Sequence, residues 1–423
     1  MKDYDILIIG AGIVGTSLVL ALSHLPLHIA LIEQAPFTPN AVPGLESKPI
    51  ALNYASIRIL QALIPWSALS AHTNPIETVQ ISEQGCFAAA RITAKEMGVA
   101  VLGYVIPAAQ LGSACIKALI QLAEAEKNEK RSLDLFNPAQ CQTLTKTAEG
   151  WEALITAKGG GETIRSRFLI AADGSNSIVR ELLGMGMQRE SRGGGKALVT
   201  TLSVSRHHRH TAYQRFTKEG VIACLPLSGN KVGLVWTAEQ SVIDELQLLT
   251  ESDFLMRLQT VFAYRLGEFL ERGKLSVYPV KSFIAELQAQ PGLVLLGNAA
   301  HTLSPIAAQG LNLALQDMAE LTDILTEAFH AKKDLADPSI SQTYLAARLP
   351  VQKQWMGFTE NLASLFKQKF APLTLLRNSG LLTFDLVFPF KRNIARRLMG
   401  IFGRLPPLVR GSSYQREEEH VEI

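Results

Sequence analysis

Hydrophobic positions run through the first 33 residues with a period that changes twice. Ile6 to Ile9 is a continuous apolar run of strand length. Gly10-Ala11-Gly12 interrupts it, and an uncharged apolar stretch of helix length then continues to Leu25. A second strand-like run, Leu27 to Ile32, is closed by Glu33. The pattern predicts strand, glycine turn, helix, strand and a terminal acid. Ile6 to Ser23 carries no charge, which also suits a membrane helix or a signal peptide. Three glycines at positions 10, 12 and 15, with Asp3 and Asp5 in front, argue against both. The first strand begins almost at residue one, so no targeting segment is expected ahead of it.

The glycine spacing has a chemical reading. Gly10 permits the tight turn out of the strand, and Gly12 has no Cβ to keep a pyrophosphate from the backbone. Gly15 lets the helix pack close to the sheet. The helix start attracts phosphate charge. Glu33 stands where a carboxylate accepts hydrogen bonds from ribose hydroxyls. The stretch is read as a dinucleotide site.

Further along, Pro36 to Pro49 reads as a proline-rich loop and Ile50 to Leu63 as an amphipathic helix. Lys48 just ahead of it either reaches a phosphate or is an ordinary solvated lysine. Val79 to Val101 reads as short strands. Tyr104 to Pro107 leads to Gln110 and a helix over Leu111–Ala123, and Glu124 to Arg131 is a polar loop. Trp151 to Thr156, a turn at Gly159-Gly160-Gly161 and a return segment form a hairpin.

Two later stretches repeat the motif of a strand emptying into a turn and a helix. In the first, Phe168 to Ala172 precedes Asp173-Gly174, and Asp173 is either an acceptor for hydroxyls or a helix-capping aspartate. In the second, Gly292 to Leu296 precedes Gly297-Asn298 and His301. Pro305 and Gln309-Gly310-Leu311-Asn312 then lead into a long helix to Phe329. His301 is either a titrating group or a structural, hydrogen-bonded histidine. Between them, residues 196 to 239 hold four strand-like runs, which predicts an antiparallel sheet. Phe216 and Trp236 there either line a pocket or pack in the core.

Composition adds bounds. The chain has 423 residues, enough for two domains, and 47% are apolar. Net charge is 41 − 38 = +3, which gives no reason to expect nucleic acid as a partner. Cys86, Cys115, Cys141 and Cys224 have no metal-ligand spacing, so they read as reduced thiols with no metal site.

The three anchors in this order resemble the group A flavoprotein monooxygenases of the p-hydroxybenzoate hydroxylase type. Gly297-Asn298-Ala-Ala-His301-Thr-Leu-Ser-Pro305 through Gly310-Leu311-Asn312 to Asp317 is similar to the ubiquinone-biosynthesis branch. Arg215 to Gly220, with Leu225-Pro226-Leu227 and Leu234-Val235-Trp236, resembles the 2-polyprenyl-6-methoxyphenol hydroxylases. The likeness covers residues 1 to about 385. Two departures stand out: Asn298 replaces the family's aspartate, and Lys48 replaces an arginine, losing bidentate phosphate contact.

The resemblance implies an α/β fold, with a Rossmann-like FAD-binding domain interleaved with an antiparallel-sheet substrate domain, and a helical C-terminal region. The FAD-binding parts are expected at 1–78, 102–185 and 281–348, the substrate parts at 79–101 and 186–280, and the C-terminal region at 349–423. The resemblance also implies a site. Gly10, Gly12, Gly15 and Glu33 would hold the ADP half of FAD, with Lys48, Gln110, Asp173 and Pro305 also at the cofactor. Gly297 and Asn298 would meet the ribityl and pyrophosphate region, and the amides of Gly310, Leu311 and Asn312 would face the flavin ring. The implied chemistry is hydroxylation of a polyprenyl phenol by molecular oxygen through a flavin hydroperoxide, with NAD(P)H or a ferredoxin-type electron donor. No catalytic residue is assigned, and His301 is the sole, weak candidate. The competing functions are a flavin oxidase or reductase acting on an isoprenoid, and a non-catalytic member of a ubiquinone-biosynthesis complex.

Residues 386–410 contain six basic side chains and no acid. Ile394, Leu398, Ile401, Phe402 and Leu405 are expected on one helical face, with arginines largely opposite. Such a helix either lies on anionic lipid or docks on the protein's own core. The expected location is cytoplasmic, with peripheral contact on the inner face of the membrane. Glu417 to Glu422 reads as an acidic end.

Overall fold

The computed structural model describes residues 2–37, 48–86, 88–125, 132–157, 160–188, 195–367, 383 and 387–411, with the backbone alone at 363–367. The proline-rich loop between 38 and 47, the loop 126–131, Gly159 and the acidic end lie outside the described residues.

The N-terminal pattern folds as its period dictates. Strand Lys2–Ile9 turns at Gly10-Ala11-Gly12 into helix Ile13–Leu22, and strand His28–Ile32 returns parallel to the first. Strand Gly160–Ala171 pairs in parallel on the other side, and Leu293–Leu295 and Ser132–Phe136 extend the sheet at its two ends. The first half of Gly160–Ala171 also pairs antiparallel with Trp151–Ala157, the expected hairpin. The apolar runs Ile6, Ile8, Phe168, Ile170 and Val294 are buried under helices Ile13–Leu22, Ala108–Ala125 and Gly310–His330. Sheets buried on both faces need such continuous apolar strands.

The second large sheet has the strand order Phe269–Arg272, Gly195–Val204, Lys231–Glu239, Gly220–Pro226, Thr211–Thr217, Thr78–Glu83, Ala89–Thr93, with Ser276–Pro279 also on Gly195–Val204. It is antiparallel except for one pair, Thr211–Thr217 with Thr78–Glu83. Trp236 packs with Phe254 and Phe262 in the core between this sheet and helices Gln240–Leu248 and Glu251–Phe262, and Phe216 is buried as well. Neither aromatic lines the large cavity between the two sheets.

Three expectations about elements are corrected. Ile50 to Asn53 is strand, not helix; it pairs with Gly103–Pro107, and the Asn53 side chain caps the helix Tyr54–Leu63 by accepting from the Ser56 amide. The stretch 79–101 contains a short helix, Ala94–Met97, fixed by a reciprocal Thr93/Glu96 capping box. The C-terminal basic helix is Phe388–Leu398 only. Gly400, at φ +75°, turns the chain, so Ile401, Phe402 and Leu405 lie beyond the helix and not on its face.

Among the described residues no helix is long and apolar enough to cross a membrane. Helix Phe388–Leu398 docks on the protein itself, burying Ala395 and Met399 against Ile92, Leu102 and Val105. The Lys391 ammonium is buried and paired with Glu96 Oε1 at 2.9 Å. Val387, Phe388 and Phe390 remain exposed, Phe390 by 54%.

Candidate functional site

A cavity of about 930 Å³ lies between the two sheets and the C-terminal helix. Its walls include Gly12 at the glycine turn, Ala172 and Gly174, and Asn298, Pro305 and Gly310–Asn312. Phe358, Leu362, Phe390 and Ile394 add apolar side chains from two C-terminal helices.

The glycine turn has the stereochemistry of a phosphate cradle. Gly10 has φ +103°, and a Cβ there would stand 2.5 Å from the Ala172 carbonyl oxygen. A Cβ on Gly15 would stand 2.0 Å from the Gly10 carbonyl oxygen. On Gly12 it would meet nothing within 4 Å, because that side faces the cavity. Helix Ile13–Leu22 begins with no side-chain cap, which leaves its first amides available to an anion. Glu33 accepts hydrogen bonds from the Ala11 and Ala35 amides, both at 2.8 Å, so its carboxylate is held beside the turn. These features fit a dinucleotide such as FAD.

The turn after Phe168–Ala171 is tied to the turn after Leu293–Leu295. Arg180 donates to the Ser175 and Ala299 carbonyls, each at 2.7 Å, and its guanidinium lies 4.9 Å from the Phe283 ring centroid. Asp173 Oδ2 accepts from the Val179 amide at 3.1 Å, which is helix-start work. Burial pushes its carboxyl above the usual range, against the pull of its hydrogen bonds and Arg180.

The third turn carries backbone strain. Ala307 and Ala308 both take left-handed conformations, φ +66° and +52°. Non-glycine residues rarely adopt these and cost about 1–3 kcal/mol each. The loop is held from outside. Gln309 Nε2 donates to the Ala307 and Leu398 carbonyls. Asn312 Nδ2 donates to Ala51 and Ala308, while its Oδ1 accepts from the Asn53 amide. Helix Gly310–His330 starts without a side-chain cap, on the cavity wall. Its dipole and free amides favour negative charge there.

Of the residues named from sequence, Gly12, Lys48, Asn298, Pro305, Gly310, Leu311 and Asn312 share the cavity wall. Gly10, Gly15 and Gly297 shape the turns behind it. Gln110 is exposed in the first turn of Ala108–Ala125 and does not line the cavity. The Lys48 ammonium lies 5.4 Å from the Tyr278 ring centroid, and burial lowers its pKa. His301 is buried behind the wall and paired with Asp317, which Arg348 and Gln352 also hold. That is the structural-histidine alternative.

The substrate-side wall was not legible as a site. It is made mostly of alternate residues on six strands, among them Ile81, Ala90, Ala212, Gln214, Ala223, Val235 and Val199. Small residues at alternate positions are the signal, since they leave room above a sheet.

The profile of the FAD-binding-domain family matches residues 3–359. The ubiquinone hydroxylase UbiL of Rhodospirillum rubrum is 30% identical over 413 residues, 97% of this chain and 93% of its own. The 3-demethoxyubiquinol 3-hydroxylase of Escherichia coli is 28% identical over 401 residues, 94% of this chain and 98% of its own. Two solved structures share the fold. PqsL of Pseudomonas aeruginosa, in complex with 2-aminobenzoylacetate, has a TM-score of 0.72 at 20% identity, covering 90% of this chain and all of that one. The p-nitrophenol 4-monooxygenase PnpA of Pseudomonas putida has 0.71 at 13% identity, covering 96% of this chain and all of that one. The family profile spans most of the sequence, and UbiL aligns along nearly all of it. The chain therefore belongs to the FAD-binding-domain family and is an FAD-dependent monooxygenase of the ubiquinone-biosynthesis hydroxylases.

Proposed function

We propose that this enzyme hydroxylates the aromatic ring of a polyprenylated phenol. The observation that carries the reading is the cavity itself. It brings together in one set of walls the Gly12 turn, the uncapped helix start at Gly310 and the apolar side chains of Phe358, Leu362, Phe390 and Ile394. Reduced FAD, when bound, supplies activated dioxygen for transfer of one oxygen atom to an electron-rich ring. Gly12 and the first amides of Ile13–Leu22 would bind the pyrophosphate, with Glu33 at the ribose. The amides of Gly310 to Asn312 would favour negative charge on the reduced ring system. The sheet wall would hold the substrate ring and exclude water. An isoprenoid tail would leave between Phe358 and Phe390. Electrons would come from NAD(P)H or a ferredoxin-type donor.

Exposed Val387, Phe388 and Phe390, beside Arg392, Arg396 and Arg397, support peripheral contact with a bilayer that stores such a substrate. A biosynthetic complex would serve the same delivery.

The test uses FAD-loaded protein, a chemical or enzymatic reductant, a short-chain prenyl methoxyphenol and isotopically labelled dioxygen. One labelled oxygen atom in the ring of the product is expected. Flavin oxidation with unlabelled or unchanged phenol would overturn the reading in favour of an isoprenoid oxidase or reductase.

A further inference from the structure

The sheet wall of the cavity contains one transverse row whose register is fixed across six strands. Ala90 pairs with Ile81, Ile81 with Gln214, Gln214 with Ala223, Ala223 with Val235, and Val235 with Val199. All six line the cavity, and five are apolar. The exception is Gln214, third in the row.

Its orientation follows from its neighbours. Tyr213 stacks edge-on with Phe262 at 6.0 Å, and Arg215 Nε donates to the Val261 carbonyl, so both odd-numbered side chains face helix Glu251–Phe262. Gln214, between them, faces the opposite way. Its amide nitrogen is buried without a hydrogen-bond partner. An unpaired buried donor is destabilising, and folded proteins pair nearly all of them. The cross-strand neighbours Ile81 and Ala223 have no acceptor to offer. Among the cavity-lining described residues, only Thr302 Oγ1 shares this condition, and it belongs to the strand that follows the Gly297 turn.

We propose that Gln214 is the specificity-determining residue for the ring, its amide donating a hydrogen bond to an oxygen substituent of the bound phenol. The inference rests on the proposed function and names which end of the substrate is read. Ligand pockets are mostly apolar with a few placed polar groups that fix orientation. A single donor in an apolar floor fixes how the ring is rotated, and so which carbon faces the activated oxygen. It also rejects rings without the oxygen, because binding them leaves the donor unpaired.

The test compares FAD-loaded wild type with Gln214→Met and Gln214→Asn. Dissociation constants for a prenylphenol and for the matching prenylbenzene are read from flavin absorbance changes. Turnover, product isomers and peroxide release are measured alongside. Wild type should prefer the phenol, and Gln214→Met should weaken phenol binding by about tenfold or more. Its affinity for prenylbenzene should be unchanged or better, with mixed isomers and more peroxide. Gln214→Asn, which keeps the amide but shortens its reach, should fall between them. Flavin content and melting temperature report folding for each variant. Phenol affinity and isomer ratio unchanged in both variants would overturn the assignment while leaving the hydroxylase reading intact. A wild-type protein that neither binds nor hydroxylates the phenol would overturn the hydroxylase reading and this assignment together.

Discussion

His301 Nε2 lies 2.7 Å from Asp317 Oδ2, with the two side chains 1% and 0% exposed. The other oxygen of Asp317 accepts from Arg348 Nε, and Gln352 completes the set. The strand His301–Thr302 and helices Gly310–His330 and Pro338–Lys367 thus meet on one carboxylate. Burial works to raise the Asp317 pKa, but Arg348 and His301 together hold it below the usual carboxylate range.

Asp317→Asn should be strongly destabilising, by about 3–5 kcal/mol, because it leaves the Arg348 charge buried without its partner. The pH dependence has a definite sign. The native carboxyl titrates below its unfolded value of about 3.9, so its contribution is complete above about pH 4 and is lost as pH falls. Denaturant unfolding from pH 3 to 7 should show an acid limb in wild type that shrinks in the variant. Equal stability at pH 7 would show that the network carries no load.

Gly12→Ala and Gly15→Ala should fail in different ways. The Gly12 Cβ enters open cavity, so unfolding should be unchanged while bound FAD drops about tenfold or more. The Gly15 Cβ meets the Gly10 carbonyl, so the melting temperature itself should fall, by an amount equivalent to about 1–3 kcal/mol. Flavin absorbance per protein and thermal melts separate the two.

Thiol labelling should be selective. Cys115, Cys141 and Cys224 are buried, and burial pushes the first two thiols up to about 12 and the third higher still. Cys86 is partly exposed. Iodoacetamide at pH 8 should modify Cys86 first, by mass spectrometry, and the others only on unfolding.

Glu96→Gln should loosen the C-terminal helix, because the Lys391 ammonium is buried against that carboxylate. Hydrogen exchange of amides 391–398 should quicken by about tenfold or more, with the Lys2–Ile9 strand unaffected. Unchanged exchange would mean that apolar packing at Ala395 and Met399 alone holds the helix.

Membrane contact has its own test. Phe388→Ser with Phe390→Ser should cut flotation with anionic liposomes several-fold, and raised salt should weaken what remains. Flotation equal to wild type would sink the idea.

The sequence revealed what each position dictates locally. Gly10, Gly12 and Gly15 were legible because a strand, a phosphate and a packed helix each forbid a Cβ at one of them. Ile50 to Asn53 was misread because short apolar runs suit either period, and a capping Asn53 decides only once Gly103–Pro107 is seen beside it. Phe402 was placed on the wrong face because Gly400 ends the helical period. The floor around Gln214 was invisible for another reason. Its neighbours Ile81 and Ala90 are more than 120 residues away in sequence, and only the parallel register brings them together. His301 and Asp317 are 16 residues apart, and nothing in the spacing marks them as partners.

The hydrogen bonds on the Leu398 carbonyl have a consequence for how the enzyme is made. Gln309 and Asn53 both donate to that one oxygen, from the strained loop and from the strand beside it. During synthesis the glycine turn and both sheets are complete long before residue 398 leaves the ribosome, since chains grow by about 5–20 residues per second. Until then the nascent protein presents an apolar trough with a wall missing. A stop codon after residue 387 would therefore remove a wall of the reaction chamber and, with it, Leu408 and Val409 from the core beneath the first sheet.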